Sequence, residues 1–257
     1  MNEQKVTFRN NRGQGLEALL AVPSVEKPPI VIVSPSLRGD KNYQPVLTPC
    51  AIALCKDGFA VLRYDAAGFG DSEGKSEDMT ITSQTEDLSS ALDYVRTLPV
   101  DSSRVALLGF SIGTTCAILN ANQEGVKTLV LWSPPFEHQT LYKRYLEFVP
   151  EMKEKGYFDS NAKITGRPYR IGKAFHNECG SLDLTEHIRN ITIPTFAIYA
   201  EEDGIIKLET VKKHMELITK APIRTEVIPK ANHDFIALDS QEKVINLTKE
   251  WLNQYLK

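Results

Sequence analysis

Ser111 lies in a five-residue segment whose residue types could supply a nucleophile. The segment, Gly109-Phe110-Ser111-Ile112-Gly113, fits the pattern G-x-S-x-G. It falls where a short apolar run, predicted to be a buried strand, meets a predicted helix. In such a tight turn a serine has a strained backbone and projects its hydroxyl above the sheet, and the crowding requires glycine on both sides. Chance alone can produce the bare pattern, so its position is what makes Ser111 the candidate nucleophile.

A serine hydroxyl needs a base to accept its proton, and the base needs a carboxylate to fix its tautomer. Among the five histidines, His233 differs because it follows a predicted late strand in a loop. Another predicted strand ends just before Glu201, Glu202 and Asp203. Asp203 is the favoured acid because a glycine directly after it supplies a turn, and Glu202 stays an alternative. Together these residue types indicate acyl transfer.

The elements that must position these residues alternate between strands and helices. Such alternation predicts a mostly parallel sheet with right-handed crossovers and helices on both faces. Candidate residues at the carboxyl ends of strands then meet at one edge of the sheet, where ligands gather. The predicted elements are a hairpin of Lys5–Arg9 and Leu16–Val22, the strands Ile30–Ser34, Phe59–Tyr64, Val105–Phe110, Val126–Trp132, Thr195–Ala200 and Thr225–Ile228, and the helices Pro45–Lys56, Thr82–Leu98, Ile112–Ala121, Leu208–Thr219 and Gln241–Leu256.

Residues 134–184, called the insert below, break the alternation. The stretch is aromatic and charged, and its one clear amphipathic piece is Leu141–Phe148. A structureless loop of this length is implausible inside a compact domain. We therefore expect an inserted subdomain at 134–184 between two parts of one core, residues 1–133 and 185–257.

Composition excludes several classes of protein. The 257 residues carry a formal net charge of -3, so no basic excess is available for a nucleic-acid backbone. No apolar run approaches the length of a membrane span, and the first residues do not form a signal peptide, so we expect a cytoplasmic protein. The four cysteines lack metal-ligand spacing and are interpreted as buried apolar residues, and no metal or organic cofactor is expected.

Several segments resemble the α/β-hydrolase fold superfamily, and the resemblance extends from end to end of the chain. Within it, the chain is similar to lid-bearing serine hydrolases such as feruloyl and cinnamoyl esterases and serine aminopeptidase-like hydrolases. The resemblance implies an eight-stranded sheet, the chain order Ser, Asp, His, and a lid formed by the insert. The matching segments are Gly109 to Gly113, Tyr64 to Gly74 (a glycine-rich turn, given no catalytic role), Asp203 with Ile206, Ala231 to Phe235, and Gly156 to Asp159.

One loop departs from the family pattern. The family's oxyanion loop usually begins His-Gly, whereas Pro35-Ser36 stands at the matching positions. The donors of an oxyanion hole are backbone N–H groups, so these side chains are not decisive. We expect one donor from Ile112 at the start of its helix and, as the resemblance implies, a second from Leu37.

The expected function is a carboxylesterase-type serine hydrolase (EC 3.1.1) that forms an acyl-enzyme on Ser111. The expected partner is a small-molecule ester or other acyl substrate, and a homodimer is compatible with these features. An acyl thioesterase is the nearest alternative. A serine aminopeptidase-like peptidase is another, for which acidic residues of the insert could bind a substrate amine: Glu147, Glu151, Glu154 and Asp159. An alternative of another class is a ligand-binding protein that has lost turnover.

Overall fold

A sheet of eight strands organises the protein. The computed structural model describes residues 2–37, 39–42, 46–149, 151–161 and 166–257. In its described part, the sheet has the order β1-β2-β4-β3-β5-β6-β9-β10. The strands are β1 (Asn2–Arg9), β2 (Gly15–Val22), β3 (Pro29–Ser34), β4 (Ala60–Tyr64), β5 (Asp101–Phe110), β6 (Val126–Trp132), β9 (Thr195–Ala200) and β10 (Ile223–Ile228).

The pairing is antiparallel at one edge and parallel elsewhere. β1 pairs with β2, and β2 with β4, in the antiparallel sense. All pairs from β4 to β10 are parallel. The carboxyl ends of β3, β5, β9 and β10 therefore lie at the same edge of the sheet.

Helices cover both faces of the sheet, because alternate residues of each buried strand point to opposite sides. Ile30 and Ile32 join a core that includes residues of helices α2 (Ile81–Val95) and α3 (Ile112–Leu119). Val31 and Val33 join the opposite core, formed with helices α1 (Leu47–Lys56) and α9 (Leu238–Tyr255). The predicted α/β-hydrolase architecture is confirmed. The helices outside the insert are α1 (Leu47–Lys56), α2 (Ile81–Val95), α3 (Ile112–Leu119), α7 (Thr185–Arg189), α8 (Leu208–Met215) and α9 (Leu238–Tyr255).

Element bounds follow the prediction most closely where both ends of a strand are buried. β6 and β9 begin and end where the sequence pattern places them. β5 begins at Asp101, four residues before the predicted start at Val105, because polar residues open the strand and hide its periodicity. The predicted first helix begins at Leu47, and Pro45 lies outside the described residues.

The insert contains regular elements that the sequence pattern does not reveal. Helix α4 contains the predicted amphipathic piece, and a two-stranded antiparallel sheet joins β7 to β8. Buried Phe158, Tyr169 and Phe175 belong to the same core as residues of α2 and α3, so the insert is continuous with the core on that side of the main sheet. Its elements are α4 (His138–Phe148), α5 (Glu151–Lys155), β7 (Tyr157–Asn161), β8 (Pro168–Gly172) and α6 (Lys173–Ser181). Among the described helices, none combines the length and apolar character that a membrane crossing requires.

Candidate active site

Ser111 occupies the turn between β5 and α3 in a strained conformation. Its φ is 52° and its ψ is -121°, which places a non-glycine residue in a region that L-residues rarely adopt. The Ser111 N–H donates to the Trp132 carbonyl at 2.8 Å, which ties the turn to the neighbouring strand. A Cβ on Gly109 would lie 2.5 Å from the Gly113 carbonyl oxygen, and one on Gly113 would lie 2.2 Å from the Ser34 carbonyl oxygen. Both glycines are required by close backbone approach, as the sequence pattern predicts.

His233 lies in the loop after β10 and reaches the serine. Its Nε2 is 3.0 Å from Ser111 Oγ. The imidazole is 12% exposed and stacks on Phe110 with ring centroids 5.7 Å apart. The stacking fixes the plane of the ring, so that Nε2 faces the hydroxyl.

Asp203 lies in the turn after β9 and completes the chain of hydrogen bonds. Its Oδ2 accepts the Nδ1–H of His233 at 2.7 Å, and its Oδ1 accepts the N–H groups of Ile205 and Ile206 at 2.8 and 2.9 Å. The carboxylate side chain is fully buried. An acceptor that cannot donate keeps the proton on Nδ1, so Nε2 is left as the acceptor for the serine proton.

The two neighbouring carboxylates do not occupy this position. Glu201 Oε2 accepts the backbone N–H of Lys230 at 2.9 Å, and Glu202 is exposed. The structure thus brings together Ser111, Asp203 and His233, and leaves the alternative acid Glu202 outside.

The predicted oxyanion donors lie on the two segments that meet beside the serine. Ile112 opens α3, and the first N–H groups of a helix have no partner within it. Leu37 is half-buried in the loop after β3. The close approach of Gly113 to the carbonyls of Ser34 and Pro35 brings this loop against the first turn of α3. The segments that carry Ile112 and Leu37 therefore lie side by side, as an oxyanion hole built from both would require.

A buried ion cluster beside this loop was missed by the sequence analysis. Lys41 Nζ is 2.5 Å from Asp65 Oδ2 and 2.7 Å from Asp71 Oδ2. Burial lowers the pKa of Lys41, but its hydrogen bonds to both carboxylates outweigh burial and leave the pKa raised. Hydrogen bonds from Lys41 and Arg167 lower the pKa of Asp71 to about 2. Asp65, which directly follows β4 in the glycine-rich turn, was the one sequence feature that could have indicated the cluster. Its partner Lys41 lies on a different loop, so the sequence pattern does not connect the two.

Of the other four histidines, His187 is exposed on α7 and three are buried. His138 is buried, and its Nε2 is 2.8 Å from Thr115 Oγ1 of α3. His176 is buried among aromatic side chains of the insert. His214 is buried against Phe136 with ring centroids 5.2 Å apart. His233 is the histidine whose ring reaches the Ser111 hydroxyl.

The fold and the site define the class of protein as an α/β hydrolase. Residues 12–162 match the model of the X-Pro dipeptidyl-peptidase (S15 family), a match that covers more than half of the chain. The protein belongs to this family. The matched region contains Ser111 and ends before Asp203 and His233.

Curated relatives resemble part of the chain. The uncharacterized 31.7 kDa protein in the traX-finO intergenic region of Escherichia coli is 33% identical over 103 residues, 39% of this chain and 35% of that protein. The thiohydrolase apmlB of Arthrinium phaeospermum is 29% identical over 159 residues, 59% of this chain and 51% of that protein. The chain thus spans about a third to a half of the length of these relatives.

A solved structure resembles nearly all of the chain. Est1E from Butyrivibrio proteoclasticus with ferulic acid bound is 22% identical, covers 97% of this chain and 98% of its own, and superposes with a TM-score of 0.82. At this identity the likeness shows the shared fold.

Proposed function

We propose that the protein is a serine hydrolase that cleaves carboxylic esters through an acyl-enzyme on Ser111. The observation that carries the proposal is the continuous hydrogen-bonded chain from Ser111 Oγ through both nitrogens of His233 to the buried Asp203, with links of 3.0 and 2.7 Å. Three residues from three separate loops form it, and each link has the atom types that a nucleophile, base and orienting acid require.

In the proposed mechanism, Ser111 Oγ attacks the ester carbonyl carbon while His233 Nε2 accepts the hydroxyl proton. The imidazolium that forms is stabilised by the Asp203 carboxylate at Nδ1. The carbonyl oxygen becomes an oxyanion, which accepts hydrogen bonds from the backbone N–H groups of Ile112 and Leu37. Collapse breaks the bond to the alcohol, and His233 returns the proton to the leaving oxygen.

Deacylation repeats these steps with water. His233 removes a proton from the water, whose oxygen attacks the acyl carbon, and the second tetrahedral intermediate expels Ser111 Oγ. The proton passes back to Ser111 and the carboxylic acid leaves. The reaction needs no redox step, and the described side chains supply each proton transfer.

The insert supports an ester with an apolar part. It is rich in aromatic residues and shares the core on the side of the sheet that carries α3, to which His138 is hydrogen-bonded through Thr115. We propose that the insert is a lid that supplies apolar walls to the substrate. The likeness to Est1E, whose structure holds ferulic acid, supports an aromatic acyl group as one substrate.

The decisive test is hydrolysis of short p-nitrophenyl esters by Ser111→Ala. We expect loss of essentially all turnover with the fold retained, because the nucleophile is gone. Ser102→Ala, at the opposite end of the same strand, is the matched control and keeps the rate of the parent. Equal rates for Ser111→Ala and the parent would contradict the proposal.

Thioesters are a second candidate substrate, supported by the similarity to thiohydrolase apmlB. The same nucleophile and base cleave an acyl thioester with a thiol as leaving group. The ratio of kcat/KM for an acyl-CoA to that for the matching oxygen ester distinguishes the two. A ratio above one would favour the thioesterase.

Peptides are a third candidate, supported by membership of the X-Pro dipeptidyl-peptidase family. An aminopeptidase needs a carboxylate for the substrate amine. Asp159, one of the acidic residues considered for this role, is instead paired with Arg170 at 2.8 Å. Release of p-nitroaniline from an X-Pro p-nitroanilide faster than release from the esters would favour the peptidase.

A ligand-binding protein without turnover is the alternative from another class. A fluorophosphonate probe separates it from an enzyme, because only an activated serine reacts quickly. We expect one label per chain, on Ser111, and none in Ser111→Ala. A folded parent that resists labelling would favour the binding protein.

A further inference from the structure

Lys41 is unusually buried for a lysine, and its ammonium group, backbone N–H and carbonyl each make a polar contact. Its side chain is 3% exposed, and its Nζ contacts Asp65 and Asp71. Its backbone N–H donates to Asp65 Oδ1 at 2.6 Å. Its carbonyl accepts from Arg63 Nη1 at 2.5 Å, and that arginine is itself 1% exposed. The residue is fixed from both its main chain and its side chain.

The partners of Lys41 are anchored to the sheet. Arg63 lies on β4, and Asp65 follows the end of that strand. The strand pairs in parallel with β3, whose following loop contains Lys41. Burying a charged side chain costs free energy unless the charge is paired. The burial of both Lys41 and Arg63 at this point therefore suggests that the conformation of the loop after β3 matters to the protein.

A short turn links Lys41 to the predicted oxyanion donor. The Gly39 N–H donates to the Ser36 carbonyl at 2.9 Å, which closes a turn around Leu37. A Cβ on Gly39 would lie 2.6 Å from Ser36 Oγ, so the turn is closely packed. On its other side the loop touches Gly113 in the first turn of α3. Lys41 therefore fixes the far end of the loop that carries Leu37.

We propose that Lys41 is a positioning residue for the oxyanion hole: by bridging Asp65 and Asp71 it holds the loop after β3 so that the Leu37 N–H faces the carbonyl oxygen attacked by Ser111. This inference rests on the proposed hydrolase function. It gives the charge pair a role in the transition state, whereas a purely structural pair would affect only stability.

The test compares Lys41→Met, which keeps the length of the side chain and removes its charge, with Lys5→Met, an exposed lysine on β1. We expect kcat for p-nitrophenyl esters to fall about 100-fold in Lys41→Met with KM changed little, because a misplaced donor weakens only transition-state binding. Affinity for a trifluoromethyl ketone, which forms an oxyanion on Ser111, should fall in proportion to kcat. Lys5→Met should match the parent in all three quantities.

Asp71→Asn keeps the test decisive if Lys41→Met does not fold. Its side chain is 44% exposed, so its loss should leave the chain folded. It weakens one of the two contacts of Nζ, and we expect a smaller fall of kcat, about 10-fold, again at constant KM. Unchanged kcat in both folded variants would overturn the inference. A fall in kcat accompanied by loss of exchange protection in α3 and β5 would also overturn it, because the effect would then be a general loss of stability.

Hydrogen–deuterium exchange separates failure of this inference from failure of the proposed function. The peptide containing Leu37 should exchange faster in Lys41→Met, or in Asp71→Asn, while peptides of β5 and α3 keep the parent's protection. A parent that neither hydrolyses esters nor reacts with a fluorophosphonate would contradict the hydrolase function, even if the variants exchange faster at Leu37, and the positioning role of Lys41 in catalysis would fall with it. Unchanged exchange in an active protein would contradict the positioning role alone.

Discussion

Replacing Asp203 by asparagine should invert the tautomer of His233. Oδ1 of Asp203 accepts two backbone N–H groups, from Ile205 and Ile206, at 2.8 and 2.9 Å. An asparagine at this position keeps those bonds only by placing its oxygen there. Its amide NH₂ then faces His233 Nδ1 in place of the carboxylate oxygen that now lies at 2.7 Å.

The inverted tautomer removes the base. With a donor facing Nδ1, the imidazole proton moves to Nε2, which then donates toward Ser111 Oγ and can no longer accept its proton. In serine hydrolases with this arrangement the corresponding loss is about 10⁴-fold in kcat, or about 5.5 kcal/mol of transition-state stabilisation. The shape and the two backbone bonds are kept, so the free energy of unfolding should change little.

The assay is kcat/KM for a p-nitrophenyl ester, measured with a urea unfolding curve for each variant. Glu202→Gln is the matched control, since Glu202 is the adjacent, exposed carboxylate, and it should keep the rate of the parent. Retention of more than about a tenth of the parent's kcat/KM by a folded Asp203→Asn would refute the assigned role. An equal loss in Glu202→Gln would refute the choice between the carboxylates.

Three further outcomes can be measured directly. Gly113→Ala places a Cβ 2.2 Å from a backbone carbonyl oxygen and should cost about 1 to 3 kcal/mol of unfolding free energy in urea, whereas Gly204→Ala, with open space around its Cβ, should cost much less. Burial lowers the pKa of His138 to about 4 from 6.5. The contribution of the buried neutral imidazole to the free energy of unfolding is therefore fully present above pH 6.5 and is lost as the pH falls toward 4. His138→Gln should accordingly flatten the pH dependence of unfolding free energy across this window, by up to about 3 kcal/mol, and an unchanged slope would contradict the assignment. Burial raises the pKa of Cys50, Cys116 and Cys179 to about 12, so iodoacetamide at pH 8 should leave them unmodified until denaturant is added, and rapid modification of the native protein would contradict their burial.

Local patterns were sufficient to predict most of the fold. β6 and β9 consist mostly of buried residues, with Lys127 as the exposed exception in β6, and their bounds agree with the prediction because both ends of each strand are buried. The insert was harder to predict because its strands are short and mostly exposed, with one buried residue in five for β7, so no period appears in the sequence. The start of β5 was missed for the same reason.

The sequence alone was enough to name Ser111 and His233 and to favour Asp203 over Glu202, since each follows a recognisable strand and the chemistry requires these residue types. Tertiary structure decided which carboxylate faces His233, because Glu201, Glu202 and Asp203 are adjacent in sequence and only the turn after β9 orients one of them inward. It also decided that Lys41 meets Asp65, a pairing that depends on two strands lying side by side. Residue type and local spacing determine what a side chain can do, whereas distances between separate loops are set by the packing of the whole sheet.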